Sequence, residues 1–171
     1  MHFSLGEAVL RPWKIEDAPA LAAAANNRNV WIYLRDRMPH PYTLADAEAY
    51  LQRRTDSELV LCIEVEGDAA GSIGLHPGTD VSRLTAELGY WLAERFWGRG
   101  IITAAVQTIV QYGFEQLPIN RIEAYVFANN PASARVLEKA GFVCEGRLRQ
   151  SVIKDGHILD SFLYALLRED Q

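Results

Sequence analysis

Hydrophobic residues follow two different spacings along the chain. Segments of alternating or strand-forming residues predict β-strands at residues 8–13, 59–66, 69–75, 87–92, 121–127, 142–153 and 157–167. Apolar residues at helical spacing predict helices at residues 18–25, 29–34, 44–53, 101–114 and 131–140. Strands and helices are mixed along the chain, neither alternating throughout nor segregated. This order predicts an α+β fold, with a single mixed, mostly antiparallel sheet flanked by helices.

Capping and turn residues support several of these boundaries. Asp17, Thr43 and Asn130 each precede a predicted helix, and their side chains are favoured at the N-cap. Gly141 follows the last predicted helix, in the position where glycine commonly ends one. The segments that predict hairpin turns are Gly67-Asp68 and Lys154-Asp155-Gly156.

Composition narrows the class of protein. A length of 171 residues fits a single domain, residues 1–171, with a substantial core. The net charge of −5 argues against a general nucleic-acid-binding protein and is compatible with cationic or amine substrates. The chain has no leader pattern and no run of about 20 apolar residues, so no membrane association and a cytoplasmic location are expected.

The cysteines and histidines carry less information. Cys62 and Cys144 both lie in predicted strands, and we expect two buried free thiols without a disulfide. The four histidines lack metal-ligand spacing, and no metal site is expected.

The most informative segment reads Arg-Phe-Trp-Gly-Arg-Gly and lies between a predicted strand and a predicted helix. Gly98 and Gly100 allow the backbone to adopt positive φ and to approach a ligand closely. The first-turn N–H groups of the following helix and its dipole favour an anion there. Arg95 and Arg99 add two cationic side chains. The segment therefore predicts a pyrophosphate-binding loop.

Two familiar nucleotide-binding loops fit this segment poorly. A Walker loop requires Gly-Lys-Ser/Thr at its end, whereas Gly100 is followed by Ile101 and Ile102. A dinucleotide fingerprint requires a third glycine where Thr103 stands, and it usually opens its domain. Both interpretations are disfavoured.

A second motif lies about thirty residues later and reads Asn-Asn-Pro-Ala-Ser-Ala-Arg-Val-Leu-Glu-Lys-Ala-Gly-Phe over residues 129–142. Together, the two motifs resemble the GNAT superfamily of acetyl-CoA-dependent N-acetyltransferases. The opening residues 10–17 and the tail residues 141–167 are similar to the branch that contains the ribosomal-protein N-terminal alanine and serine acetyltransferases. The resemblance covers nearly the whole chain. It implies a sheet that splays open between the strands ending near Leu92 and Phe127 to admit acetyl-CoA.

The resemblance also implies residues that bind acetyl-CoA, which is a cosubstrate here. The backbone N–H groups of residues 98–101 would bind the pyrophosphate, with Arg95 beside it, and the backbone at the end of the preceding strand would meet the pantetheine arm. The matching asparagine of the family touches the same arm, although helix capping alone would explain Asn130. The cofactor-binding residues implied are Trp91, Leu92, Arg95, Gly98, Arg99, Gly100, Ile101 and Asn130.

Two catalytic residues are implied. Glu87 matches an acid that relatives carry on this strand, and it would take the ammonium proton through a water. Ser133 stands where some relatives place the donor to the leaving thiolate. Each also has a structural interpretation: Glu87 as a solvated strand end or ion-pair partner, and Ser133 as a small helical residue. Asp160 would either steer a cationic amine or pair with Arg147 or Arg149 across the last hairpin, and the pairing is favoured.

The sequence does not identify the molecule that accepts the acetyl group. The resemblance implies a primary amine, either a protein N-terminus or a small amine such as an antibiotic or polyamine, and fold alone does not choose between them. Trp31, Tyr33 and Tyr42 would either line the acceptor cleft or belong to the core. A CoA-binding module without turnover is the alternative from another class. Dimerisation through exposed strand or helix faces is also left open.

Overall fold

The computed structural model describes residues 1–53 and 59–170 and contains eight strands and five α-helices within those ranges. The strands are β1 (Phe3–Ser4), β2 (Ala8–Arg11), β3 (Leu59–Val65), β4 (Asp68–Pro77), β5 (Thr85–Leu92), β6 (Arg121–Phe127), β7 (Val143–Lys154) and β8 (His157–Leu167). The helices are α1 (Ala18–Ala25), α2 (Arg28–Trp31), α3 (Leu44–Gln52), α4 (Ile101–Gln116) and α5 (Pro131–Lys139). The strands form one sheet in the order β1-β2-β3-β4-β5-β6-β8-β7.

The predicted α+β architecture is confirmed. The β1–β2, β2–β3, β6–β8 and β7–β8 pairs are antiparallel, and β5 pairs with β6 in parallel. Most predicted boundaries fall within two residues of the observed ones, and the two-residue strand β1 was not predicted. The second helix is shorter than predicted, because Asn27 caps it one residue early and a turn begins after Trp31.

The described chain groups into two compact units. The first contains Met1–Gly74 and Tyr90–Ala105. Its helices α1 and α3 share a core of small and aliphatic residues, namely Ala18, Leu21, Ala25, Ala47 and Leu51. Tyr42 is 5% exposed within this core, and burial raises its pKa to about 12. Tyr42 is therefore a core residue, so the cleft-lining alternative for it is wrong.

A buried ion pair between Arg11 and Asp17 lies near the N-terminal end of this unit. The guanidinium of Arg11 donates two hydrogen bonds of 2.8 Å to Asp17, and its Nε atom donates to Glu64 on β3. Asp17 precedes α1 as predicted, but its side chain makes no hydrogen bond to that helix, because Arg11 and the N–H of Lys14 occupy both carboxylate oxygens. The predicted capping role of the Asp17 side chain is therefore wrong.

Replacing Asp17 by Asn should destabilise the protein by about 3 kcal/mol, because it leaves the buried Arg11 short of one counter-charge. Burial alone would raise the pKa of Asp17, but the hydrogen bonds from Arg11 and Lys14 outweigh it and hold that pKa below its ordinary value. The carboxylate therefore stabilises the fold above a pH of about 4. That stability is lost as the pH falls through the lowered pKa. Urea unfolding at neutral pH measures the effect.

The matched control is Asp80→Asn. Asp80 is exposed at positive φ, a conformation that asparagine tolerates. Equal unfolding midpoints for the two variants would contradict the stabilising role of the Arg11–Asp17 pair.

The second unit contains Leu75–Gly89 and the chain from Val106 onward. In this unit β8 lies between β6 and β7 and pairs with both. Helix α4 approaches the sheet closely at Gly113, where an added Cβ would come within 2.4 Å of the Leu75 side chain. Helix α5 is tied to β8 by the Tyr164 hydroxyl, which donates to Glu138 at 3.0 Å.

The parallel ladder between β5 and β6 is short. Its described register joins Thr85–Glu87 to Arg121–Glu123, whereas β5 continues to Leu92 and β6 to Phe127. Such early termination matches the open sheet that the sequence resemblance predicts.

The cysteines differ from one another. Cys62 is fully buried on β3, and burial raises the pKa of its thiol to about 12. Cys144 is exposed on β7, so its predicted burial is wrong. The reason is that β7 is the last strand of the sheet, and nearly all of its residues are accessible. Both thiols are free.

Among the helices of the described residues, none combines the length and the apolar character that a membrane span requires.

Candidate functional site

The predicted anion-binding loop lies in the first unit, between β5 and α4. A single 3₁₀ turn at Glu94–Phe96 follows β5, and residues 97–100 connect this turn to α4. In the described chain, the Trp97 N–H donates to the Glu94 carbonyl at 3.0 Å. The next N–H along this stretch with a backbone acceptor is that of Ala104, which donates to the Gly100 carbonyl at 3.1 Å. The N–H groups between them have no backbone acceptor and can therefore bind an anion.

The two loop glycines are required by backbone conformation. Gly98 has φ 75° and Gly100 has φ 77°, in the left-handed region that other residues adopt at a cost. A Cβ added to either glycine would have no neighbour within 4 Å. Space over both peptide groups is thus open to a ligand, as the predicted pyrophosphate site requires.

Both loop arginines are held by carboxylates of the first unit. Arg95 contacts Asp68 at 2.7 Å, and Arg99 pairs with Glu7 and with Glu66, the latter at 3.0 Å. The hydrogen bonds of Arg99 raise its own pKa and lower that of Glu7. Both guanidinium groups also lie over the Phe96 ring, at 4.7 and 5.3 Å from its centroid. Both guanidinium groups are therefore held by carboxylates and by the Phe96 ring.

The end of β5 is anchored to the loop. The Trp97 indole donates to the Leu92 carbonyl at 2.8 Å. The Trp91 side chain packs against the core of α1 and α3, which confirms the core interpretation of that side chain. The backbone at Gly71 approaches so closely that an added Cβ would lie 2.3 Å from the Trp91 carbonyl oxygen. Cofactor contacts of the Trp91 and Leu92 backbone stay predictions.

The start of α5 carries two predicted residues of the second unit. Asn130 is the N-cap, and its Oδ1 atom accepts the Ser133 N–H at 3.2 Å. This confirms the capping role and leaves the Nδ2 atom as the group that could donate to a cofactor carbonyl. Ser133 is half-buried in the first turn of the helix.

Glu87 lies on a half-exposed face of the second unit, and the structure reveals neighbours that the sequence interpretation missed. Its register partner on β6 is Glu123. The Tyr125 hydroxyl donates to Glu123 at 3.3 Å, and Arg121 donates to the other carboxylate oxygen at 3.1 Å. Arg121 also binds Glu145 of β7 through two hydrogen bonds of 2.9 and 2.7 Å. Polar residues at every second position of β6 are the sequence signal that could have indicated this face.

Asp160 takes the predicted structural role. It pairs with Arg147 across the β7–β8 hairpin and accepts the Gln150 N–H at 2.8 Å. These two hydrogen bonds lower the pKa of Asp160. A surface cavity of about 860 Å³ lies at the hairpin and is lined by Arg147, Leu148, Arg149, Gln150, Ser151 and Asp160.

Trp31 lies beside His40, with 5.5 Å between the ring centroids and an angle of 32° between the ring planes.

The predicted residues thus fall into two groups. The first unit brings together the loop residues and the end of β5, namely Trp91, Leu92, Arg95, Gly98, Arg99, Gly100 and Ile101. Glu87, Asn130 and Ser133 belong to the second unit, where Glu87 lies on β5 and the other two begin α5. The cofactor-binding and catalytic roles of both groups stay predictions.

Comparisons with known proteins identify the family of this chain. A family model described as the acetyltransferase (GNAT) domain matches residues 8–143. YdaF of Bacillus subtilis, whose name carries a provisional assignment as a ribosomal N-acetyltransferase, is 39% identical over 61% of this chain and 57% of that relative. The chain thus spans just over half the length of YdaF. p20 of Bacillus licheniformis, named as an uncharacterised N-acetyltransferase, is 30% identical over 94% of this chain and 93% of its own.

Solved structures show the same fold. RimL, a ribosomal L7/L12 alpha-N-protein acetyltransferase solved in complex with coenzyme A, superposes with a TM-score of 0.86 over the whole of both chains at 21% identity. The family match, the relatives and the fold agree with one another. The chain therefore belongs to the GNAT acetyltransferase family.

Proposed function

We propose that this enzyme transfers the acetyl group of acetyl-CoA to the primary amine at the N-terminus of a protein, with ribosomal proteins as the substrate class. The observation that carries this proposal is the 39% identity to YdaF, whose name assigns it to ribosomal N-acetylation. The net charge of −5 favours a cationic acceptor in addition.

Acetyl transfer to an amine makes a few demands on the protein. The amine must lose its proton, the thioester must be held close, and the thiolate must leave. Holding the reactants together can supply as much as about 7–11 kcal/mol of the barrier. Because a thiol with a pKa of about 8.5 is a tolerable leaving group, strong acid catalysis is not required.

The proposed roles follow from these demands. The N–H groups of residues 98–101 and the Arg95 and Arg99 side chains bind the pyrophosphate, and Asn130 Nδ2 binds the pantetheine arm. Glu87 accepts the ammonium proton through a water, and the Ser133 hydroxyl donates a hydrogen bond to the leaving thiolate. The open loop glycines and the half-exposed position of Glu87 support these roles.

The Ser133→Ala variant should lower kcat about tenfold, as expected for the loss of one hydrogen bond to the charged leaving group. Its backbone N–H still binds Asn130, so α5 stays capped and the loss is due to the hydroxyl alone. Steady-state kinetics with saturating acetyl-CoA measure the effect. Ser133→Thr, which keeps a hydroxyl, should retain most of the turnover, and a full-speed Ser133→Ala enzyme would remove the residue from the mechanism.

A thiol-release assay with acetyl-CoA and a panel of amines tests the proposed function. The panel contains peptides beginning with Ala, Ser or Met, together with polyamines, aminoglycosides and free amino acids. Release with the peptides alone supports the protein N-terminus as acceptor. Release with small amines alone would overturn that choice and move the acceptor to metabolites or antibiotics, which the same fold can also accommodate.

A further inference from the structure

The open face of β5 and β6 carries a residue with no role in the mechanism above. Tyr125 is 41% exposed, although it lies in the middle of a sheet. On the opposite face of the same two strands, Ala86, Leu88, Ile122 and Ala124 are at most 3% exposed. The strands therefore have one face that is packed and one that is accessible, and Glu87 and Tyr125 both lie on the accessible face.

The direction of the Tyr125 hydroxyl is fixed by Glu123. Its O–H donates to one carboxylate oxygen of Glu123, whose other oxygen is occupied by Arg121. Burial, then the charge and hydrogen bond of Glu123, and then the charge of Glu87 raise the pKa of Tyr125. The phenol stays protonated at neutral pH. Because its proton points at Glu123, the lone pairs of its oxygen remain to accept an N–H.

Gly89 provides the space for such a donor. The ladder ends at the Glu87–Glu123 pair, and Gly89 and Tyr125 are the next residues on the accessible face of β5 and of β6. Gly89 does not have positive φ, and an added Cβ would meet only the Nε2 atom of His76, at 3.9 Å. Neither backbone conformation nor packing therefore requires glycine here. A strand glycine of this kind often marks a place where a ligand comes close to the backbone.

We propose that the Tyr125 hydroxyl binds the amino group of the acceptor next to Glu87, over the open backbone at Gly89, and that Glu123 positions this hydroxyl. The inference rests on the proposed function, because Glu87 is the base of that mechanism. It identifies the acceptor class as a primary amine small enough at its reacting end to lie against Gly89. The Tyr125 oxygen accepts one amine N–H, which leaves another N–H directed toward the Glu87 water.

Two variants test this subsite. Tyr125→Phe removes only the hydroxyl and should raise the KM for the acceptor about tenfold, as expected for losing a hydrogen bond to a charged group. The kcat and the Kd for acetyl-CoA should change little. Gly89→Ala places a methyl group in the open space at an ordinary contact distance, so it should fold normally and raise the same KM, more for bulkier acceptors. Tyr112→Phe on α4 is the matched control and should behave as the wild type.

The outcomes separate the two proposals. Transfer by the wild type with unchanged acceptor KM in both variants would overturn the subsite and leave the proposed function standing. An equal rise in the Kd for acetyl-CoA would also overturn it, because Tyr125 would then face the cofactor. A wild type that acetylates no amine in the panel would overturn the proposed function, and the subsite with it.

Discussion

Gly100→Val should weaken acetyl-CoA binding by more than about 100-fold, the largest effect expected of any single change in this chain. Gly100 has φ 77°, where a side chain costs about 1–2 kcal/mol and a β-branched one costs more. Relief of that strain would rotate the peptide groups on either side and turn their N–H groups away from the pyrophosphate. The branched side chain would also occupy the space over the loop that is now open. Calorimetric titration with acetyl-CoA measures the loss.

Gly156→Val is the matched control for strain. Gly156 has φ 75° in the β7–β8 turn and is equally open, so valine there carries the same conformational cost without touching the loop. Both variants should lose comparable stability in urea, but only Gly100→Val should lose acetyl-CoA. An unchanged Kd in a folded Gly100→Val protein would disprove the assignment of residues 98–101 to the pyrophosphate.

The parts of the fold that were predictable are those determined locally. Thr43 and Asn130 cap their helices because an N-cap side chain bonds to a backbone N–H within the next three residues. Asp17 is the instructive failure. It has the same cap chemistry, but Arg11 and the Lys14 N–H occupy its carboxylate, and no capping rule includes a competing buried cation.

The candidate site shows the same division. Glycine permits the positive φ found at Gly98 and Gly100, and their place between a strand and a helix made the loop predictable from the sequence. The carboxylates that hold Arg95 and Arg99 come from Glu7, Glu66 and Asp68, 27 to 92 residues away in the chain. Glu123 and Tyr125 were missed for a related reason. Only the β5–β6 register, which the pattern of a single strand does not predict, places Glu123 opposite Glu87 and Tyr125 on the same face.

Glu87→Gln should lower kcat/KM for the acceptor about 100-fold at neutral pH, as expected for the loss of a general base. The amide is nearly isosteric with the carboxylate but cannot take a proton, so the substitution removes base chemistry while keeping the shape of β5. The Kd for acetyl-CoA should stay unchanged. Activity should also recover at higher pH, because more of the acceptor is then unprotonated without help. Steady-state kinetics across the pH range measure both effects.

A second variant tests whether the loss of a negative charge alone lowers kcat/KM. Glu115→Gln removes the same charge from the exposed surface of α4, where Glu115 accepts a hydrogen bond from Gln111. It should keep wild-type kinetics at every pH. A Glu87→Gln enzyme with equally unchanged kinetics would show that deprotonation of the amine does not depend on this carboxylate. The proton would then have to leave by another route, because an α-amine with a pKa of about 8 is mostly protonated at neutral pH.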